Sequence, residues 1–252
     1  MPRYALLLEY DGAAFVGWQR QSSGVSVQSV LEAAASRLAD GRPVGCTAAG
    51  RTDSGVHAAG QVVHLDLERT IAPRTLCRAL DFHVQPYPVA VLQAAVVADD
   101  WSARFSAIGR AYRFRILNRP TRPALLARRV WHVDRPLDAA AMQDAARLLV
   151  GHHDFTSFRA TACQARSPVR TLDCLDVARH GDEVVVTATA RSFLHHQVRN
   201  MVGTLKLVGE GRWPAPRVAA ALAARDRRAA GPTAPSDGLV LDAVQYERNP
   251  FG

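Results

Sequence analysis

The sequence of 252 residues contains little cysteine and no metal-binding spacing. Its four cysteines form no CxxC pair, and its nine histidines occur in neither an HExxH motif nor a zinc-type Cys/His arrangement. Isolated cysteines in apolar or mixed surroundings are typical of buried free thiols rather than of a disulfide framework. We therefore expect no structural or catalytic metal.

Long apolar runs are also missing. No stretch approaches the roughly 20 apolar residues that a membrane helix needs. The first residues, MPRYALLLEYDG, reach an acidic residue after a short apolar stretch, unlike a signal peptide. We expect a cytoplasmic protein with no membrane contact.

Lysine is nearly absent, because Lys206 is the only one and the other 30 basic residues are arginine. GC-rich coding explains arginine in place of lysine, but it does not explain the excess of 31 basic over 23 acidic residues and the formal net charge of +8. A basic balance favours a polyanionic partner, because neutralised phosphates release condensed counterions. A nucleic acid is the predicted partner.

Hydrophobic periodicity predicts the element order β-α-β-β-α-β twice along the chain. In the first half we predict strands at 4–10, 44–49, 61–67 and 89–98, and helices at 26–40 and from Pro73. In the second half we predict strands at 110–117, 169–179, 183–190 and 239–246, helices at 138–150 and 194–208, and a short helix after Pro216. This order is that of the ferredoxin-like split βαβ unit. We predict an α+β fold of two such halves, residues 1–105 and 106–252, with a mixed, largely antiparallel central sheet, helices, and a cleft between the halves.

A loop between the second and third predicted strands combines glycine with charge. It reads AGRTDSGVHA over residues 49–58. Two glycines beside an arginine and an aspartate suit a tight turn where the backbone approaches a ligand closely. Aspartate with glycine and serine is also ordinary turn chemistry, and local composition alone favours that interpretation.

The helix predicted at 194–208 carries His195, Arg199 and Lys206 at intervals of four and seven residues. This spacing predicts a cationic stripe opposite the apolar one. A solvated helix face has the same pattern. Because the segment starts where a strand of the second half ends, Arg199 is placed to reach a carboxylate of the first half, hold it ionised and orient it.

Five blocks occur in order along almost the entire chain. They are YDG at 10–12 with GWQRQ at 17–21, GRTDSGVHA at 50–58, ARFSA at 103–107 with RAY at 110–112, HDF at 153–155 with SFLHHQVRNMVG at 192–203, and AGPTAP at 230–235 with GL at 238–239. Together they resemble the TruA family of tRNA pseudouridine synthases, and GRTDSGVHA resembles the catalytic-aspartate motif of that family.

The resemblance implies the pseudouridine synthase fold and isomerisation of uridine to pseudouridine in tRNA. The expected substrate is the anticodon stem-loop, around positions 38 to 40, bound by a homodimer without a cofactor. Asp53 is the implied catalytic carboxylate and Arg199 its ion-pair partner, Tyr112 lies over the target base, and Arg51 stabilises the flipped-out nucleotide. The expected RNA contacts are Tyr112, Gln19, Arg20, His57, Arg113, Arg115 and Lys206.

These residue types fit the reaction. Pseudouridine formation breaks the bond from ribose C1′ to base N1, turns the base and joins C1′ to C5, so nothing is oxidised. An ionised Asp53 either attacks the sugar or removes a proton from it to give a glycal, and the sequence leaves both routes open. A base inside a stem must leave the stack before it can react.

One alternative is a non-catalytic RNA-binding protein of two RRM-like units, because RRM domains share the same element order. That function predicts paired aromatic residues of the RNP1 pattern on the central strands. The predicted central strands carry none.

Two other enzyme classes are less consistent with the sequence. A base deaminase needs a His-x-Glu and Pro-Cys-x-x-Cys zinc set, which is absent. A hydrolase that uses Asp53 with His57 has no supporting GxSxG motif or metal cluster.

Overall fold

The computed structural model describes residues 1–252 and divides them into two compact units. The first unit comprises Met1–Arg110 and Val240–Gly252, and the second comprises Ala111–Leu239. The last residues of the chain, which we predicted to close the second half, thus belong to the first unit. Ten strands and five α-helices, with mostly antiparallel strand pairs, confirm the predicted α+β class.

The elements of the first half follow the predicted order. They are β1 (Arg3–Tyr10), α1 (Val27–Leu38), β2 (Cys46–Ala48), β3 (His57–Asp66), α2 (Pro73–His83) and β4 (Val89–Val97). Strand β1 lies between β4 and β3, and β2 pairs with the other side of β3, all antiparallel. This is the strand arrangement of a ferredoxin-like unit.

The elements of the second half are more numerous than predicted. They are β5 (Ala107–Asn118), β6 (Trp131–Val133), α3 (Ala139–Arg147), β7 (Gly151–Asp154), β8 (Val169–His180), β9 (Glu183–Ala190), α4 (Gln197–Gly209), α5 (Pro216–Ala224) and β10 (Leu239–Tyr246). Strands β5, β9, β8 and β7 are neighbours in that order, and β6 pairs parallel with β5. Strands β6 and β7 were not predicted, because three or four residues are too few to show an alternation.

Local chemistry explains where the first two helices begin. The side chains of Ser26 and Ser29 accept hydrogen bonds from each other's backbone N–H, which forms a capping box at the start of α1. The helix buries the predicted apolar face, including Val27 and Leu31. Pro73 opens α2, as predicted. None of the helices is long and apolar enough to cross a membrane.

Strand β3 begins at His57, four residues before its predicted start at 61. Its N-terminal part pairs with β1 on one side and, through His57 and Ala58, runs parallel to β10 on the other. Most residues of β3 are buried on both faces, so the polar alternation that marks a half-exposed strand is missing there.

Helix α4 differs most from its prediction. It begins at Gln197, so His195 precedes the helix, and 11 of its 13 residues are buried. Only Arg199 and Lys206 are partly exposed. The predicted cationic stripe is therefore reduced to Arg199 and Lys206, and the other α4 residues, small and polar ones included, are buried by other segments of the second unit.

Candidate active site

The loop that carries Asp53 connects β2 to β3 and is held by the N-terminal segment of the first unit. The backbone N–H of Trp18 donates to the Thr52 carbonyl (3.0 Å), and that of Val56 donates to the Asp53 carbonyl (3.1 Å). The Gly55 N–H donates to the Phe15 carbonyl at 3.4 Å. The backbone is thus fixed on both sides of Asp53.

Gly17 permits this close packing. Its φ is +109°, and a Cβ atom there would lie 2.8 Å from the Thr52 carbonyl oxygen and 3.1 Å from the Asp53 carbonyl carbon. Only glycine tolerates both the backbone conformation and the short approach. The GWQRQ block therefore contributes to the site by packing against the backbone of the Asp53 loop.

A buried polar network lies next to the same loop. The Tyr10 hydroxyl is 2.8 Å from Thr52 Oγ1, and Gln61 Nε2 donates to the Gly50 carbonyl at 2.8 Å and to Tyr10 Oη at 3.4 Å. Burial raises the pKa of Tyr10 to about 12, so the phenol stays neutral at ordinary pH. We did not predict these roles, although Tyr10 and Thr52 lie in the matching blocks.

The catalytic candidates of this loop differ in exposure. Asp53 is half-buried, whereas Arg51 is exposed. A half-buried carboxylate can contact a ligand while its backbone is held. An exposed guanidinium is suited to a phosphate.

The other first-unit candidates lie on either side of the loop. His57 is buried, with Nδ1 accepting from the Gly12 N–H (3.1 Å) and lying 3.0 Å from Asp11 Oδ1. Gln19 Nε2 donates to Gln28 Oε1 at 2.8 Å. The exposed Arg20 donates to Glu32 Oε2 of α1 at 2.6 Å. All three side chains thus have polar contacts within the first unit.

In the second unit, Arg199 lies in the first turn of α4. Its Nε donates to the Ala234 carbonyl (2.8 Å), and the Ala234 N–H donates to the Arg199 carbonyl (3.1 Å). A helix N-terminus carries partial positive charge, so a guanidinium there raises the local positive potential further. An anionic group is the partner that such a position favours.

The AGPTAP segment packs directly on α4. A Cβ atom at Gly203 would lie 1.8 Å from the Pro232 carbonyl oxygen. Asn200 Nδ2 donates to the Phe158 carbonyl (2.8 Å), and its Oδ1 accepts from Thr233 Oγ1 (2.6 Å) and from Arg227 (3.0 Å). Arg199 is therefore positioned by a buried network, of which the sequence showed only the separate blocks.

Tyr112 lies on β5 and is half-buried. Its ring packs edge-on against Phe193, with centroids 5.2 Å apart and planes at 89°. Phe193 belongs to the SFLHHQVRNMVG block, so two of the matching blocks meet at this aromatic pair. The prediction that Tyr112 covers a base stays a prediction.

Of the remaining basic candidates, Arg115 and Lys206 have partners within the second unit. Arg115 forms a two-point ion pair with Glu183 at 2.8 and 2.7 Å. Lys206 Nζ is 2.7 Å from Glu210 Oε1 and 5.4 Å from the centroid of the Trp131 ring. Arg113 is half-buried on β5.

Comparison with known families defines the class of protein. Residues 7–106 and 145–247 match the family described as tRNA pseudouridine synthase. These segments cover most of the chain and contain both Asp53 and Arg199, while Tyr112 lies between them. The chain belongs to the tRNA pseudouridine synthase family, which confirms the resemblance and the predicted class of isomerase.

Individual relatives agree over nearly the full length. The tRNA pseudouridine synthase A of Acidiphilium cryptum is 66% identical over 252 residues, which cover 100% of this chain and 99% of that protein. The protein of the same name from Gluconobacter oxydans is 54% identical over 99% of this chain and 91% of its own. That of Paramagnetospirillum magneticum is 58% identical, with 98% and 96% covered.

Proposed function

We propose that this protein isomerises uridine to pseudouridine in the anticodon stem-loop of tRNA, around positions 38 to 40, with Asp53 as the catalytic carboxylate and no cofactor. The position of Asp53 is the observation that carries the proposal. Its loop is fastened at Thr52, Asp53 and Gly55, while the residue stays half-buried. A carboxylate that acts on ribose C1′ has to be held in one orientation, and this loop supplies that restraint.

Arg199 is the proposed ion-pair partner of Asp53. The family resemblance implies the pair, and the place of Arg199 in the first turn of α4 favours an anionic partner. A positive neighbour stabilises the ionised carboxylate, which both chemical routes require. Tyr112 is the proposed aromatic platform for the base, and the exposed Arg51 the proposed contact to the flipped-out nucleotide.

The proposed reaction needs no group from outside. Asp53 either bonds to C1′ as the C1′–N1 bond breaks or removes a ribose proton to give a glycal. In both routes the freed base turns and C1′ joins C5; the Asp53–C1′ bond breaks at this step in the first route, and the removed proton returns to the ribose in the second. The C5 proton is then lost and N1 is protonated. Because the base must leave the stack, the proposal includes a pocket that binds the flipped-out base.

RNA is expected to be held mainly through its backbone. The deep, narrow major groove of an A-form stem hides base edges, so basic and polar side chains contact phosphates and shape. Gln19, Arg20, His57, Arg113, Arg115 and Lys206 are proposed for this role. We propose further that a homodimer acts, in the cytoplasm, on one tRNA that lies across both subunits.

Primer extension after carbodiimide treatment maps pseudouridine on an unmodified tRNA transcript. We expect wild-type protein in EDTA-containing buffer to give a stop in the anticodon arm and Asp53→Asn to give none. Asp99→Asn is the matched control, because it removes the same charge from an exposed position of the first unit. It should behave like wild type, and both variants should bind tRNA normally because phosphate contacts remain.

Two results would refute the proposal. Full activity of Asp53→Asn would remove Asp53 from the chemistry. No stop with wild type on any transcript, despite tight binding, would favour the non-catalytic RNA-binding function of two RRM-like units.

A further inference from the structure

A short turn directly before β5, residues 102–106, is held by several hydrogen bonds. Tyr246 Oη donates to the Ala103 carbonyl (2.7 Å), and the Ala103 N–H donates to His64 Nδ1 (3.1 Å). Within the turn, the Ser106 N–H donates to the Ser102 carbonyl (2.9 Å), and the Ser102 N–H donates to Ser106 Oγ (3.0 Å). These bonds fix the backbone from both ends of the turn.

The two central side chains of the turn nevertheless point away from the core. Phe105 is 77% exposed, and Arg104 is exposed beside it with its guanidinium carbon 5.3 Å from the Phe105 ring centroid. A single exposed aromatic residue on a mobile loop is common. An aromatic and a cationic side chain displayed together on a fixed backbone form a preorganised contact surface.

This turn is attached to the chain that enters the Asp53 loop. The buried guanidinium of Arg110 donates to the Arg104 carbonyl at 2.9 Å and to the Ala49 carbonyl at 2.7 Å. Ala49 directly precedes Gly50 and the GRTDSG segment. One side chain therefore sets the distance between the exposed turn and the entry to the proposed catalytic loop.

We propose that Arg104 and Phe105 form a contact for the tRNA next to the reacting uridine, in which Phe105 stacks on an unpaired base and Arg104 contacts a phosphate. The inference rests on the proposed function. Aromatic rings stack on any base face, and single-stranded bases are bound in this way. An RNA fits better than an apolar protein surface, because the aromatic ring is paired with a cation on a chain of net charge +8.

Stacking is tested by the Kd for an unmodified tRNA transcript, measured in the Asp53→Asn background so that substrate is not consumed. We expect Phe105→Ala to raise Kd at least about fivefold, the lower end for loss of one base stack. Phe105→Trp keeps a stacking face and should stay within about twofold of the parent. The matched control is Phe82→Ala, since Phe82 is also exposed, at 69%, on α2 of the same unit.

The phosphate contact is tested by the salt dependence of the same Kd. Arg104→Gln should lower the slope of log K against log salt concentration by about one, the value for one lost phosphate contact. Phe105→Ala should leave that slope unchanged, because stacking releases no counterion. Thermal unfolding of each variant establishes that the fold is retained.

The proposal is overturned if Phe105→Ala binds tRNA as tightly as Phe82→Ala. It is also overturned if Phe105→Ala changes the sedimentation of the protein alone but not the Kd, which would make this turn an interface between two copies. Turnover of the wild-type protein is measured separately. An inactive wild type with a weakened Phe105→Ala complex would refute the proposed reaction while supporting the RNA contact.

Discussion

The Tyr10 hydroxyl contacts the Asp53 loop through Thr52 and is not itself a predicted RNA contact. It lies 2.8 Å from Thr52 Oγ1 in a buried site, and its raised pKa of about 12 keeps it neutral in any assay. Tyr10→Phe removes one hydrogen bond that orients the loop. We expect kcat to fall about tenfold with KM within about twofold, because a small displacement of the carboxylate affects the transition state more than RNA binding.

Steady-state kinetics on one tRNA transcript distinguishes an effect on the position of Asp53 from a general loss of protein stability. Tyr4→Phe is the matched control, since Tyr4 is a buried tyrosine of the same strand whose hydroxyl bonds to the backbone of Ile71. It should lower the unfolding temperature without changing kcat. The shape of the rate–pH profile should be the same for Tyr10→Phe and wild type. A raised KM with normal kcat would contradict the positioning role.

The ion pair of Arg115 and Glu183 links stability to pH. The Arg115 guanidinium lowers the pKa of Glu183 below its ordinary value of 4.5. A carboxyl whose pKa is lower in the folded state stabilises the fold above the unfolded pKa, and that contribution is lost as pH falls through the folded value. Glu183→Gln should therefore cost about 1–2 kcal/mol at pH 7, near the low end of the roughly 1.5–3 kcal/mol of a hydrogen bond to a charged group, because both side chains are partly exposed.

Urea unfolding at several pH values measures this contribution. The difference between Glu183→Gln and wild type should be constant from pH 7 to about pH 5 and should shrink below the ordinary glutamate pKa. Asp144→Asn is the control, because Asp144 forms an ion pair with Arg147 in which both side chains are largely exposed. A Glu183→Gln difference that stays constant through pH 3 would contradict the linkage.

At the scale of elements, α4 and the AGPTAP segment approach each other at Gly203. In a free helix, glycine to alanine is stabilising by about 1 kcal/mol. Here the added Cβ would lie 1.8 Å from the Pro232 carbonyl oxygen, a backbone atom, so either the helix or the segment has to move. We expect Gly203→Ala to destabilise the protein by about 2–3 kcal/mol and to reduce activity, because the same segment bonds to Arg199.

Denaturant unfolding and turnover are both measured for this variant. Gly45→Ala is the matched control, because nothing lies within 4 Å of a Cβ atom at that position. It should leave both quantities within error of wild type. A Gly203→Ala protein that is as stable as wild type would show that the two segments separate easily.

The sequence predicted those elements whose signals are local. Helices α1 and α2 were predicted because helical spacing of apolar residues and, for α2, an opening proline act within a few positions. The start of β3 and the burial of α4 were not, because both depend on neighbours distant in the chain: β10 beside β3, and the AGPTAP segment on α4. Hydrophobic periodicity is visible only in an element with one exposed face, and β3 and α4 are buried on nearly all sides.

The site shows the same division. Asp53, Arg51, Tyr112 and Arg199 were predicted through resemblance, whereas local composition favoured only a turn around Asp53. The supporting contacts of Tyr10, Gln61 and Asn200 were missed, because each side chain bonds to a residue more than 40 positions away. Motifs mark which residues matter, and only the three-dimensional contacts show which of them hold others in place.

At the scale of the whole molecule, charge defines the last prediction. With a net charge of +8 and 30 arginines, the protein should bind tRNA mainly by displacing counterions from phosphates. Affinity should then fall by at least about 100-fold between roughly 50 and 200 mM salt, as expected for several phosphate contacts. Asp53→Asn should keep the slope of log K against log salt concentration, because the carboxylate contacts ribose rather than phosphate. Filter binding across that salt range measures both slopes, and a salt-independent wild-type Kd would show that base and shape contacts, rather than charge, supply the affinity.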